Sequence, residues 1–169
     1  MSFKTILKST LGVLLVFCLS ASALAGQGKD SYSGRINVMT QNLYVGANLF
    51  QILEGTPEDI PFNAAMIFGD IQLTDFQQRA EAIADLVLEH EPQLIGLQEV
   101  SLIRTQCPDD IVFPPNDPTP NATDVYADYL QILLDSLAAQ GLAYDVAAIV
   151  ENADVELPTL NLGLLDCPY

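Results

Sequence analysis

Apolar and polar residues alternate from Arg35 to Asn42, with Ile36, Val38 and Thr40 set against Asn37, Met39 and Gln41, and this predicts a strand. From Leu43 to Leu53 the pattern gives a loop running into a short helical turn, broken by Gly55-Thr56-Pro57. A further short helix is expected over Pro61–Gly69. The strongest periodicity comes next: Phe76, Ala80, Ile83, Ala84, Val87 and Leu88 fall on one face at helical spacing. Thr74 and Gln77 stand at capping-box spacing before this helix, and Glu91-Pro92 ends it. Gln93–Val100 reads as a short strand, its Leu94, Ile95 and Leu97 forming the apolar run of a buried one. Residues 105–121 carry five prolines among Asp and Asn, so no regular element is expected there. A second helix is predicted from Thr123 to Gln140, with Val125, Tyr129, Ile132, Leu133 and Leu137 on one face and Gly141 as its stop. Tyr144–Val150 and Leu160–Leu165 read as strands. Strand, helix and strand in succession give a βαβ-like layout, hence an α/β class with sheet and helix layers.

The first residues change this picture. Lys4 and Lys8 precede an almost unbroken apolar run, Leu11–Leu19, and Ala23-Leu24-Ala25 places small residues before Gly26. That is the form of a secretory signal cleaved between Ala25 and Gly26, so the chain is expected to be secreted or periplasmic. The run is shorter than the roughly 20 residues that span a bilayer, so no transmembrane anchor is expected. Phe17 before Cys18 is too bulky for a lipobox. Residues 1–25 are thus leader, 26–34 a small, polar, flexible lead-in, and 35–169 the folded part.

The full chain carries a formal charge of −16, with 22 acidic residues against 6 basic ones. Loss of Lys4 and Lys8 with the leader makes it more negative. A surface that acidic repels phosphates at long range and argues against a passive, stable nucleic-acid-binding module. It does not argue against an enzyme that cleaves phosphates, because a divalent cation supplies positive charge locally. Export makes a disulfide between Cys107 and Cys167 chemically possible, and their spacing leaves it open.

Two segments carry candidate chemistry. Val38-Met39-Thr40-Gln41-Asn42-Leu43 is a strand ending in an amide, and Ile95-Gly96-Leu97-Gln98-Glu99-Val100 is a strand ending in a carboxylate. As parallel neighbours they would bring Asn42 and Glu99 to the same end of a sheet, where open sheets place their ligand sites. Both offer hard oxygen atoms. Mg²⁺ takes one or two carboxylates and fills its shell with water and substrate phosphate.

The strand ending in Gln41-Asn42-Leu43, the helix Phe76–His90 and the strand closing on Leu97-Gln98-Glu99-Val100 resemble the opening of the endonuclease/exonuclease/phosphatase superfamily. Neither half is distinctive alone; the two in this order, with a helix between, carry the resemblance, which extends over roughly Arg35–Val150. It implies a deoxyribonuclease I-like two-sheet α/β sandwich. It also implies hydrolysis of a phosphate ester (a nucleic acid, a phospholipid such as sphingomyelin, or a small molecule) with Mg²⁺ or Mn²⁺ as cofactor. Glu99 would be a metal ligand, and Asn42 would share in holding the metal or orient it and the phosphate. The superfamily's later motifs, Asp-x-Asn and Ser-Asp-His, do not occur after Glu99, so the chain resembles the front half of such an enzyme.

Plainer readings stand beside these. Glu99 alone reads as a solvated strand end, Asn42 as a turn residue, and Tyr44 as half-buried core or as the lining of a substrate cleft. The chain's single histidine, His90, suits a helix C-terminus. Arg104 suits a phosphate or a carboxylate, and Asp109 and Asp110 suit loop solvation. Two other functions remain open: a non-catalytic remnant, and an exported binding protein on the same scaffold. A sheet lacking its remaining strands would expose Tyr144–Val150 or Leu160–Leu165 as an edge prone to self-association.

Overall fold

The computed structural model describes residues 34–112 and 116–163; the predicted leader lies outside them. The chain divides into two units, Met1–Arg35 and Ile36–Tyr169. The elements of the second unit, in order, are β1 (Val38–Asn42), α1 (Ile60–Leu73), α2 (Phe76–His90), β2 (Leu94–Gln98), β3 (Leu102–Thr105), β4 (Asp124–Asp128) and α3 (Tyr129–Ala139). Short 3₁₀ turns at Leu49–Leu53 and Pro57–Asp59 lead from β1 to α1. This is a mixed α/β architecture. β1 and β2 pair in parallel, from Val38 opposite Leu94 to Asn42 opposite Gln98. β3 and β4 form a separate antiparallel pair, with a register shift between Ile103 and Arg104.

The apolar stripe of α2 does what its spacing implies. Phe76, Ala80, Ile83, Ala84 and Val87 are buried, together with Leu43 and with Tyr129, Leu133 and Leu137 of α3. Leu88 stays exposed. Met39, Ile95 and Leu97 pack against this cluster from the β1–β2 sheet. The helices therefore cover the Met39 face of β1, not the face of Ile36 and Val38, which are 63% and 54% exposed. The buried position that decides this is Leu43, which continues the Met39–Gln41 series one step past the strand. The ring of Tyr129 stacks on Phe76, with centroids 3.8 Å apart and planes nearly parallel. A second cluster, Ala47, Ile67 and Ile71, binds the loop after β1 to α1.

Several elements depart from the sequence pattern. α1 runs on to Leu73, well past the predicted Gly69, and Thr74 closes it instead of opening α2. The cap of α2 is Asp75, whose carboxylate accepts from Gln78 N. The segment expected to begin a helix at Thr123 forms strand β4 first, and the helix starts at Tyr129 behind an Asp128 cap. Val125 suits a strand once Arg104 lies opposite it, and Tyr126 is the residue left unpaired at the register shift. Gly141, at φ +78°, ends α3 as its spacing predicts. Tyr144–Val150 forms no strand, because alternation supplies a pattern but not a neighbour to bond. Leu160–Gly163 likewise joins no sheet, and the rest of that predicted strand lies outside the described residues. Cys107 is disulfide-bonded; Cys18 and Cys167 lie outside the described residues.

Candidate functional site

Parallel pairing puts the last residues of β1 and β2 side by side, and the ladder runs one bond further, from Leu43 N to Gln98 O at 2.8 Å. Beyond it both chains turn sharply. Tyr44 and Glu99 adopt left-handed conformations, with φ of +51° and +53°. For residues with a Cβ this costs on the order of 1 kcal/mol each. The turn at Glu99 lets the carboxylate reach back across to β1. There Oε1 accepts from Asn42 Nδ2 at 2.8 Å, and Oε2 accepts from Val45 N at 3.2 Å. Asn42 is held in turn, its Oδ1 accepting from Tyr44 N at 2.7 Å. The strand ends, 57 residues apart in sequence, thus make one constellation: a carboxylate, an amide and two backbone N–H groups.

Both side chains are exposed to solvent. Each carboxylate oxygen of Glu99 accepts one hydrogen bond from the protein and keeps further lone pairs for an outside partner. Asn42 is bonded through both ends of its amide, the oxygen accepting from Tyr44 N and the nitrogen donating to Glu99, which fixes its orientation. Of the two roles the sequence leaves it, ligand or orienter, these bonds support the second. Among the described residues no group of three or more His, Cys, Asp or Glu side chains converges as a metal cage. A single oriented carboxylate fits a hard cation only in the mode where water and substrate complete the shell.

The loop after Tyr44 is kept close to the helices. Gly46 has φ +108°, and a Cβ there would collide with Thr74 Oγ1, so only glycine fits. Thr74 Oγ1 donates to Gly46 O at 3.2 Å or to Ile71 O at 3.0 Å. Tyr129 OH donates to Val45 O at 2.7 Å, and burial raises the pKa of this phenol above its ordinary value. Arg79 of α2, which belongs to no sequence motif, donates to Leu43 O and Thr74 O. Its only sequence signal is a cation three residues after Phe76 on the apolar face of the helix.

The remaining candidates lie elsewhere. His90 is at the opposite end of the sheet, where its carbonyl accepts from Asn37 Nδ2 at 2.6 Å. Arg104 is paired with Asp154 at 2.6 Å, which raises its pKa and commits it to a carboxylate, not to a phosphate. Asp109 accepts from Ile111 N, and Asp110 from Asn121 Nδ2, as loop fasteners. Tyr44 is 48% exposed and is not core, its ring centre 5.8 Å from the Arg79 guanidinium. No helix among the described residues is long and apolar enough to cross a membrane.

No family model, no curated protein and no solved structure matches this chain.

Proposed function

We propose that this chain carries the cation site of an exported, divalent-cation-dependent phosphoesterase of the endonuclease/exonuclease/phosphatase type, on a deoxyribonuclease I-like two-sheet sandwich, with Glu99 as its cation ligand; the superfamily's Asp-x-Asn and Ser-Asp-His motifs do not occur after Glu99. The observation that carries the reading is the double grip on that carboxylate by Asn42 Nδ2 and Val45 N, at the carboxyl ends of two parallel strands. Two left-handed residues maintain it. A strand-end glutamate with no task beyond solvation needs neither the strain nor the grip. Asn42 orients the carboxylate, in the way that outer-shell partners fix a metal ligand.

Mg²⁺ or Mn²⁺, when bound, supplies Lewis-acid polarisation of a phosphoryl oxygen. Glu99 holds the negative charge that draws the cation to this end of the sheet. Exposure of the carboxylate leaves room for a phosphate ester as well as water. In the reaction a water oxygen bonds to phosphorus as the ester P–O bond breaks, and the alcohol leaves with a proton. The strongly acidic chain favours a substrate reached through the cation over one gripped by basic side chains.

The test is hydrolysis of bis(p-nitrophenyl) phosphate by the purified chain with Mg²⁺ or Mn²⁺, beside Glu99→Gln. Mn²⁺ binding that Glu99→Gln lacks is expected, and any hydrolysis should vanish with a chelator and in Glu99→Gln. Activity that survives the substitution contradicts the assignment. Mn²⁺ binding at Glu99 without hydrolysis makes the chain a cation-binding scaffold instead.

A further inference from the structure

Arg79 is a cation in a strongly acidic chain, yet among the described residues the ion pair is Arg104–Asp154 and Arg79 makes none. Two of its nitrogens bond backbone instead, Nη1 to Leu43 O and Nε to Thr74 O at 3.0 Å, while Nη2 is buried with no hydrogen-bond partner. Its guanidinium lies 4.9 Å from the ring centre of Phe76, 5.8 Å from that of Tyr44 and 5.9 Å from that of Tyr129. Aromatic rings attract a cation without neutralising it, so the charge remains available to strengthen the bonds to the two carbonyls.

The carbonyl of Leu43 and the N–H of Tyr44 belong to one planar trans peptide unit. Fixing the direction of Leu43 O therefore fixes the direction of Tyr44 N–H, which points the opposite way, to Asn42 Oδ1. Asn42 Nδ2 in turn sets Glu99 Oε1. Two residues on, Tyr129 OH pins Val45 O, so the peptide that supplies Val45 N–H to Glu99 Oε2 lies between two anchored neighbours. The left-handed turn at Tyr44 falls inside this anchored stretch, which opposes its relaxation to an ordinary φ.

We propose that Arg79 is the positioning residue of the Glu99 site: by holding the Leu43–Tyr44 peptide plane it orients Asn42, and through Asn42 the carboxylate. This deepens the cation-site reading and rests on it only for its functional consequence. Arg79 touches neither cation nor substrate in this role.

The experiment compares the purified chain with Arg79→Met and Arg79→Lys by amide hydrogen exchange and by Mn²⁺ titration followed by electron paramagnetic resonance. Arg79→Met should speed exchange at Tyr44 and Val45 about tenfold or more, with the Ile83 and Val87 amides of α2 little changed. Mn²⁺ affinity should fall roughly ten- to a hundredfold, the range for lost outer-shell support. Arg79→Lys, which keeps the charge but cannot hold both carbonyls in one fork, should fall between. Unchanged exchange at Tyr44 in a folded variant overturns the proposal. So does an equal rise across all amides, or failure of both variants to fold, since each makes Arg79 merely structural. If the unaltered chain binds no Mn²⁺, the cation reading fails, while exchange at Tyr44 still decides the role of Arg79.

Discussion

Where β1 and β2 begin, Asn37 and Gln93 bond to each other in both directions: Asn37 N donates to Gln93 Oε1 at 2.6 Å, and Gln93 N to Asn37 O at 2.9 Å. Asn37 Nδ2 reaches His90 O, and Gln93 Nε2 reaches Glu91 O. Where the strands finish, Asn42 and Glu99 occupy the matching places. The first end is closed by neutral amides that satisfy one another and the backbone. The second holds a full charge whose oxygens each keep capacity for an outside partner. Left-handed residues occur at both ends, but with different tasks. Glu91 simply ends α2 before Pro92, whereas the turn at Tyr44 aims its N–H at Asn42 and the turn at Glu99 aims its carboxylate at Asn42 Nδ2 and Val45 N. The difference separates a strand end closed by neutral amides from one that presents an oriented carboxylate to solvent.

The contrast can be broken by substitution at each end. Asn42→Ala should weaken Mn²⁺ binding about ten- to a hundredfold with little change in melting, as measured by calorimetric titration. Asn37→Ala should do the reverse. It removes the side-chain bond to His90 O and should cost about 1 kcal/mol in denaturant unfolding, with Mn²⁺ affinity unchanged. Equal effects at the two ends would erase the distinction.

A smaller effect tests the support beneath the site. Tyr129→Phe keeps the stack on Phe76 but loses the bond to Val45 O, costing about 1 kcal/mol at neutral pH. Burial raises the pKa of this phenol, so its contribution is complete below the ordinary tyrosine value near pH 10 and is lost as pH rises through the folded value. Unfolding followed against pH should show that alkaline loss in the unaltered chain and a shallower one in Tyr129→Phe. The smallest effect on stability is the most pointed. Glu99→Gly relieves a left-handed residue, and its two lost hydrogen bonds are exposed ones that water replaces. Stability should hold steady or rise by up to about 1 kcal/mol, while cation binding disappears. A clear loss of stability would make Glu99 a structural residue.

Legibility in the residues divides along physical lines. The stripe from Phe76 to Val87 was legible because one helix face meets one core. Its cap was not, because Thr74-x-x-Gln77 and Asp75-x-x-Gln78 both fit a capping pattern, and only the length of α1 chooses between them. β4 read as helix because Val125 and Tyr129 are four apart. Its partner, Leu102–Thr105, lies some twenty residues earlier in a stretch with little pattern of its own. The pairing of Asn42 with Glu99 was legible as chemistry at two strand ends. The donors Tyr44 N and Val45 N were not, since every residue except proline carries an N–H. Nor were the left-handed turns, which no glycine marks at Tyr44 or Glu99. Arg79 was hidden for a related reason, as its partners are carbonyls.

Whether the Glu99 end of the sheet takes a cation is decided by anomalous diffraction from a crystal of the chain soaked in Mn²⁺. A strong peak is expected within coordination distance of the Glu99 carboxylate, with Asn42 Nδ2 still bonded to Oε1 and nothing at the Asn37–Gln93 end. A peak elsewhere, with Glu99 bound only by Asn42 and Val45, would contradict that assignment.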